Sequence, residues 1–162
     1  MVRRMSSCER ILGFEQKADP QGKLIPLVVR MKLDLAEFRI RLSDWQALSK
    51  GQRDSLVQFP VGNLSEINTF RQGLQNMLTA AGRESITQPA NGPTTTHDWL
   101  EDVEPQSVVE VRSLAGVDAK WEILDLFARY VLSYAARKND SALCRTIAAE
   151  MPMMRLESVE NC

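Results

Sequence analysis

Five charged residues in the first third of the chain are the strongest candidates for binding chemistry: Arg30, Lys32, Asp34, Arg39 and Arg41. Two of these arginines lie just before a predicted helix start, where backbone N–H groups and the helix dipole favour anions. One interpretation is a docking face for an acidic partner surface or a phosphorylated cofactor. The other is the solvated side of an amphipathic element, in which the aspartate pairs with a neighbouring cation.

Residues that could bind a metal or act as a nucleophile are few and scattered. The single histidine, His97, has no positioned partner, so we expect a solvated loop residue. The cysteines Cys8, Cys144 and Cys162 are far apart in sequence, and an iron–sulfur cluster within one chain normally needs four thiolates. No nucleophile elbow, Walker A loop or GxGxxG motif is present. We therefore predict no catalytic residues, no metal site and no cofactor, and hence a protein that is not an enzyme.

Composition narrows the class of protein further. The chain has 162 residues, enough for one domain, and its net charge of −1 argues against a general nucleic-acid binder. Residues 1–60 carry 11 Lys/Arg against 7 Asp/Glu, whereas residues 61–162 carry 9 against 14. No apolar run is long enough to span a membrane. The odd number of cysteines is typical of a reducing compartment, so we predict a cytoplasmic location.

A tryptophan-containing pattern occurs twice in the chain, 76 residues apart. Each copy follows a segment that opens on a proline and runs into apolar residues. Such self-similarity indicates a duplicated helical unit. We expect both tryptophans to pack in the core, and both arginines either to stack on the tryptophan or to pair with an acid. The repeated residues are Trp45, Leu48, Arg53 and Leu56, then Trp121, Leu124, Arg129 and Leu132, and the prolines are Pro26 and Pro105.

The pattern of apolar residues predicts an all-α fold. We expect a single domain of about six helices over residues 14–150, in two similar three-helix halves related by a pseudo-twofold axis. The halves are residues 24–82 and 99–150, and the polar segment 83–98 is a loop between them. Residues 1–13 and 152–162 are expected to be flexible termini.

Local signals predict where several helices begin and end. The segment after Pro26 alternates like a strand but also has a helical stripe, and we favour the helix. Capping boxes at Ser43 and Ser49 predict two short helices. Four more helices are predicted. The first runs from near Leu64 to Gly82, and the second runs from Pro105 to Gly116. The third runs from Lys120 to Arg137 with Asp118 as its cap, and the last begins at Asp140 or Ser141 and ends at Pro152.

The sequence resembles the nitrate reductase-associated protein family, small soluble proteins of cyanobacteria and some other microbes and algae. The most specific stretch is Ile-Pro-x2-Val-Arg-x-Lys-Leu-Asp at residues 25–34. The chain departs from the family pattern where it has Leu24, Leu27 and Glu37 in place of Cys, Met and Gly. The similarity also includes Phe14-Glu15, both tryptophan blocks, Trp99-Leu100 and Pro105, and so covers about residues 14–150.

The resemblance implies an accessory factor needed for assembly, maturation or activity of an assimilatory molybdenum nitrate reductase. Its implied partners are the reductase or the maturation machinery, reached by protein–protein contact. An alternative is a binder of a phosphorylated small molecule, such as a pterin-type cofactor, gripped by Arg30, Lys32, Arg39 and Arg41. A helical DNA-binding module is disfavoured because the charge is near zero and no basic recognition helix is present.

Overall fold

The computed structural model describes residues 9–84, 86–87 and 98–151. These residues are mostly helical, which confirms the all-α prediction, although they contain eight α-helices instead of about six. The chain forms two compact units. Of the described residues, unit 1 contains 9–11, 15–84 and 86–87, and unit 2 contains 12–14 and 98–151. No helix in this part of the chain combines the length and apolar character that a membrane span requires.

The predicted N-terminal boundary at residue 13 coincides with the start of a short helix, and the flexibility of residues 1–13 stays a prediction. Helix α1 spans Gly13–Ala18, and the Leu12 side chain before it is 1% exposed. The Glu150 carboxylate accepts hydrogen bonds from the backbone N–H groups of Gly13 (2.5 Å) and Phe14 (3.1 Å). This carboxylate, 137 residues away in sequence, satisfies N–H groups that have no partner within the helix. Residues 1–8 and 152–162 lie outside the described part.

Helix α2 spans Leu27–Ala36, so the helical interpretation of the ambiguous segment is confirmed. Pro26 is its N-cap in an extended conformation, which suits a residue without a backbone N–H. The helix ends at Glu37, which has a left-handed backbone with φ of 50°. Within unit 1, α2 packs against α4 and α5, whose bounds follow. Its buried residues are Leu27, Val28, Val29, Met31, Lys32, Leu33 and Ala36.

Two short helices follow, α3 over Leu42–Ala47 and α4 over Lys50–Gln58. The capping box at Ser49 is confirmed: its Oγ accepts from the Gln52 N–H at 3.1 Å, and the Gln52 side chain accepts from the Ser49 N–H at 2.9 Å. The predicted box at Ser43 is wrong. The helix begins at Leu42, with Arg41 as the N-cap and the Arg41 backbone N–H donating to the Asp44 carboxylate at 2.8 Å.

Unit 1 is completed by a long helix and a short strand pair. Helix α5 spans Leu64–Ala80, is capped by Asn63, and buries Phe70, Leu74 and Leu78. The predicted stop at Gly82 is confirmed, since that residue has φ of 71°. Strand β1 (Phe38–Arg39) pairs antiparallel with β2 (Ile86–Thr87), with Phe38 opposite Thr87. Most of the predicted loop, residues 88–97 with His97, lies outside the described residues.

Unit 2 contains three α-helices that pack against one another: α6 (Gln106–Ala115), α7 (Leu126–Arg137) and α8 (Ser141–Glu150). The 3₁₀ turn Asp98–Leu100 precedes them and packs on α7. Helix α6 ends at Gly116 with φ of 68°, and Asp140 caps α8 by accepting from the Leu143 N–H, both as predicted.

The single predicted helix from Lys120 to Arg137 is wrong. A 3₁₀ turn occupies Trp121–Ile123, Leu124 is extended, and α7 starts at Leu126. The cap is Asp125, whose Oδ1 accepts from the Ala128 N–H at 2.8 Å, and not Asp118. Helix α7 is buried along most of its length, and its buried residues are Phe127, Ala128, Tyr130, Val131, Leu132, Ser133 and Ala135.

The two units share a local order of elements. Pro26 and Pro105 each cap a helix of 10 residues that ends in a left-handed residue. A short helical turn containing a tryptophan follows in each unit, and then an extended leucine, Leu48 or Leu124, whose N–H donates to the tryptophan carbonyl. The pseudo-twofold arrangement of the two halves, and the single domain, stay predictions.

Candidate functional site

The exposed arginines Arg39 and Arg41 lie two residues apart in an extended segment between α2 and α3. Side chains alternate along extended backbone, so both guanidinium groups project to one side. Phe38, on the other side, is 4% exposed. Neither arginine side chain makes a hydrogen bond or an ion pair with the described residues. Leu42, at 45% exposure, continues this surface, and we call Arg39, Arg41 and Leu42 the cationic edge.

A buried carboxylate fixes one end of the cationic edge. Asp44, whose side chain is 1% exposed, accepts from the Arg41 N–H at 2.8 Å and from Arg83 Nε at 2.8 Å. Arg83 also donates to Ser43 Oγ at 2.6 Å. Burial alone would raise the pKa of the Asp44 carboxyl, but the Arg41 N–H and the Arg83 guanidinium together hold that pKa below its usual range. Asp44 therefore stays ionised and pairs with Arg83, and the charge of Arg41 also attracts it, while the Arg39 and Arg41 side chains are exposed.

Lys32 is not on a docking surface, which corrects its place among the predicted site residues. Its side chain is 1% exposed, and Nζ donates to the carbonyl oxygens of Val57 (2.5 Å) and Phe59 (2.6 Å). Glu9 Oε2 lies 4.0 Å from the same Nζ. These carbonyls are at the C-terminal end of α4, where a helix leaves acceptors unsatisfied and favours a cation. The alternation of charges along α2 suggested a solvated side, but α4 and α5 cover that side.

The remaining two predicted site residues belong to α2 and are engaged locally. Arg30 is exposed, and its Nε donates to the Ile25 carbonyl at 3.1 Å. Asp34 is half-buried and has a partner of its own. Of the five predicted residues, the structure therefore brings Arg39 and Arg41 together in one exposed segment and removes Lys32 from the surface.

Each unit contains a tryptophan and an arginine that donate to the same backbone carbonyl. In unit 1, Trp45 Nε1 and Arg53 Nη1 donate to the Gly22 carbonyl at 3.0 and 2.6 Å. The Arg53 guanidinium carbon lies 6.0 Å from the tryptophan ring centroid. Both tryptophans of the repeat are 1% exposed. We call Trp45 and Arg53 the first Trp–Arg pair.

The second Trp–Arg pair, Trp121 and Arg129, makes the same two bonds in unit 2, and Arg129 Nε also donates to the Trp121 carbonyl at 3.1 Å. Trp121 Nε1 and Arg129 Nη1 donate to the Glu101 carbonyl at 2.9 and 3.2 Å, and the guanidinium carbon lies 5.0 Å from the ring centroid. The predicted stacking is present, and the acceptor is a carbonyl, not an acid. The sequence analysis missed these acceptors, although Gly22 and Glu101 each lie four residues before a helix-capping proline.

A partly buried ion pair that was not predicted from the sequence lies in unit 2. Arg112 Nε and Nη2 donate to the two Glu104 carboxylate oxygens at 2.8 and 3.0 Å, and Nη1 donates to the Val117 carbonyl at 3.1 Å. The bidentate bond to Glu104 raises the pKa of Arg112. The pair ties the segment before α6 to the helix itself.

Little in the described residues suggests metal or nucleophile chemistry. Within residues 9–84, 86–87 and 98–151, no three His, Cys, Asp or Glu residues form a group that could hold a metal ion. Cys144 on α8 is buried, and this burial raises the pKa of its thiol, which disfavours the reactive thiolate. The cationic edge is thus the described feature best suited to binding, and its chemistry suits an anionic surface.

Comparison with known proteins gives one match. A family model described as conserved nitrate reductase-associated protein matches residues 11–148, most of the chain. No curated protein and no solved structure matches the chain.

Proposed function

The chain belongs to the conserved nitrate reductase-associated protein family, and we propose that it is a non-catalytic accessory factor of an assimilatory molybdenum nitrate reductase. In this proposal it acts in the cytoplasm and assists assembly, maturation or activity of the enzyme by direct contact. The observation that carries the proposal is the cationic edge, where two arginine side chains are exposed and make no hydrogen bond or ion pair with the described residues.

Arginines of this kind suit the recognition of an acidic protein surface. A guanidinium binds carboxylates with two parallel hydrogen bonds, and complementary charge accelerates encounter between proteins. The extended segment and the Asp44–Arg83 ion pair hold the backbone of the edge in place, which reduces the entropy lost on binding. We therefore expect the reductase to present Asp and Glu side chains to this edge.

The alternative, a phosphorylated small molecule held by four cations, is weakened by the position of Lys32. Its ammonium is buried and bonded to two carbonyls, so it is not available to a phosphate. Arg30 is also bonded to the Ile25 carbonyl on α2. An acidic protein surface, by contrast, can bind to the exposed charges of the cationic edge alone.

The test is recovery of the reductase from nitrate-grown cells that express the tagged chain. We expect the wild-type chain to co-purify with nitrate reductase, and the double variant Arg39→Glu/Arg41→Glu to lose most of it. The matched control is Arg145→Glu, which reverses the charge of an exposed arginine of α8 that also has no partner among the described residues. This control should recover as much reductase as the wild type.

Equal recovery by the edge variant would exclude the cationic edge, and absence of reductase from the wild-type sample after cross-linking would exclude direct contact. Thermal unfolding with inorganic phosphate or a phosphorylated pterin separates the alternative. A ligand at 100 times its Kd should stabilise the fold by about 2.7 kcal/mol. Such stabilisation, lost in the edge variant, would favour the small-molecule alternative over the accessory factor.

A further inference from the structure

Three large apolar side chains of unit 2 are exposed beside carboxylates. Leu100, Val103 and Ile123 are 41%, 79% and 58% exposed. Soluble proteins rarely leave neighbouring apolar groups in water unless they meet a partner. Exposed acidic residues flank them, and Lys120 is a nearby exposed cation in the sequence. We call the following residues the acidic patch: Leu100, Glu101, Asp102, Val103, Glu122 and Ile123.

One backbone carbonyl joins the two segments of the acidic patch. The Glu101 carbonyl accepts hydrogen bonds from Trp121 and Arg129, as described above. Trp121 begins the 3₁₀ turn that ends at Ile123, so these bonds hold residues 100–103 beside that turn. The two segments that carry the exposed apolar and acidic side chains are therefore neighbours in unit 2.

The cationic edge of unit 1 complements the acidic patch in charge and in character. It presents Arg39 and Arg41 without partners among the described residues, together with the exposed Leu42. Each surface thus combines exposed apolar area with a charge of one sign, and the signs are opposite. The opposite charges favour association of the two surfaces, and the apolar side chains lose contact with water when the surfaces meet.

We propose that the acidic patch of one copy of this chain binds the cationic edge of a second copy. Every copy carries both surfaces, so each copy can offer either one to its partner. The inference does not require contact with the reductase. If both hold, self-association covers the edge that the reductase would use, so the enzyme and a second copy compete for it.

The first measurement is sedimentation of the purified full-length chain over a wide range of concentrations. We expect a mass above that of the monomer, and weaker association at high salt because exposed charges are screened. Two charge-reversed variants should each raise the dissociation constant by more than roughly tenfold, since like charges then face each other. They are Arg39→Glu/Arg41→Glu and Asp102→Arg/Glu122→Arg, and Arg145→Glu and Glu110→Arg are the matched controls at other exposed positions.

An equimolar mixture of the two variants provides the sharpest test. The edge variant keeps its native acidic patch, which can bind the native edge of the patch variant. Its reversed edge, now acidic, can bind the reversed patch. The mixture should therefore associate although each variant alone does not. Circular dichroism of each variant checks that charge reversal leaves the helices intact.

A chain that stays monomeric at every concentration would overturn the proposal. So would variants that associate as strongly as the wild type, or a mixture that stays monomeric. The patch variant also separates this inference from the proposed function. It keeps the cationic edge, so it should still recover the reductase even if the second copy no longer binds.

Discussion

Unit 1 and unit 2 contain the same tryptophan–arginine geometry but differ in how they hold the helix before it. In unit 1 the buried cation is Lys32 on α2, bonded to carbonyls at the end of another helix. In unit 2 it is Arg112 on α6, bonded to the Glu104 carboxylate just before its own helix. The Trp–Arg pair, which both units share, holds a loop carbonyl in place. The cation, whose partners differ between the units, holds the helix in place.

This comparison separates what the repeated geometry requires from what it tolerates. A Trp–Arg pair needs a carbonyl acceptor at one place, which is Gly22 in unit 1 and Glu101 in unit 2. The two acceptor residues differ in kind. Gly22 has a left-handed backbone with φ of 65°, which favours glycine, whereas Glu101 carries an exposed acidic side chain.

The largest expected effect comes from removing either repeated tryptophan. Trp45→Ala and Trp121→Ala should each lower the free energy of unfolding by about 3–5 kcal/mol, since each removes a buried side chain and a donor to a loop carbonyl. Urea unfolding followed by circular dichroism measures both. Similar losses would support equivalent roles of the two tryptophans in stabilising their units. A loss confined to one variant would show that the two Trp–Arg pairs contribute unequally to the free energy of unfolding.

Replacing Lys32 and replacing Arg112 should lower the free energy of unfolding by different amounts. Lys32→Met keeps the aliphatic stem but leaves the Val57 and Phe59 carbonyls without their charged donor, so we expect a loss of about 2–4 kcal/mol. Arg112→Met should cost about 1–2 kcal/mol, because water can reach the 17% exposed Glu104 carboxylate. The control is Lys50→Met at an exposed pair, which should change stability little. An equal effect of Lys32 and Lys50 would contradict the role of the buried ammonium.

Sequence reasoning succeeded where the signal is local. The glycine stops at Gly82 and Gly116 and the capping box at Ser49 are set by neighbouring residues, and all three are confirmed. The break before α7 was missed because Asp125 has no Glu or Gln three residues later to complete a capping box. The repeat contains the missing information, since Asp125 lies 76 residues after Ser49.

The candidate site was predictable only in part, because local sequence signals do not show contacts between residues far apart in the chain. Arg39 and Arg41 alternate with Phe38 in a short extended segment, and their exposure follows from local pattern. The burial of Lys32 depends on α4 and α5 covering α2, which no spacing within residues 27–36 reveals. A carbonyl acceptor such as that of Gly22 has no side-chain signature at all.

The residues that end α2 and α6 offer a matched pair of opposite substitutions. Glu37 and Gly116 both have a left-handed backbone, which costs a residue with Cβ about 1–2 kcal/mol. Glu37→Gly should therefore stabilise the chain by about 0.5–1 kcal/mol after the added flexibility of the unfolded chain is counted, and Gly116→Ala should destabilise it by about 1 kcal/mol. Thermal unfolding of the two variants checks the signs. Destabilisation by Glu37→Gly would mean that the glutamate side chain contributes more than the backbone loses.

The smallest effect concerns acid, and it should arise in unit 1 at Asp44. The pKa of this carboxyl is held below its unfolded value, so its ionised form stabilises the fold above the unfolded pKa of about 3.9. That contribution is lost as the pH falls through the lower, folded pKa. Asp44→Asn should therefore flatten the dependence of unfolding free energy on pH in this acid range, measured by urea titration.

Asp102→Asn is the matched control for this acid effect, because Asp102 is exposed and has no hydrogen-bond partner among the described residues. It removes a carboxyl that makes no hydrogen bond within that part of the chain, so a difference between the two variants reports the contacts of Asp44. If both variants behave alike, the ion pair with Arg83 does not couple protonation to folding. The position of the cationic edge would then be set by the backbone hydrogen bonds of Arg41 and Asp44 alone.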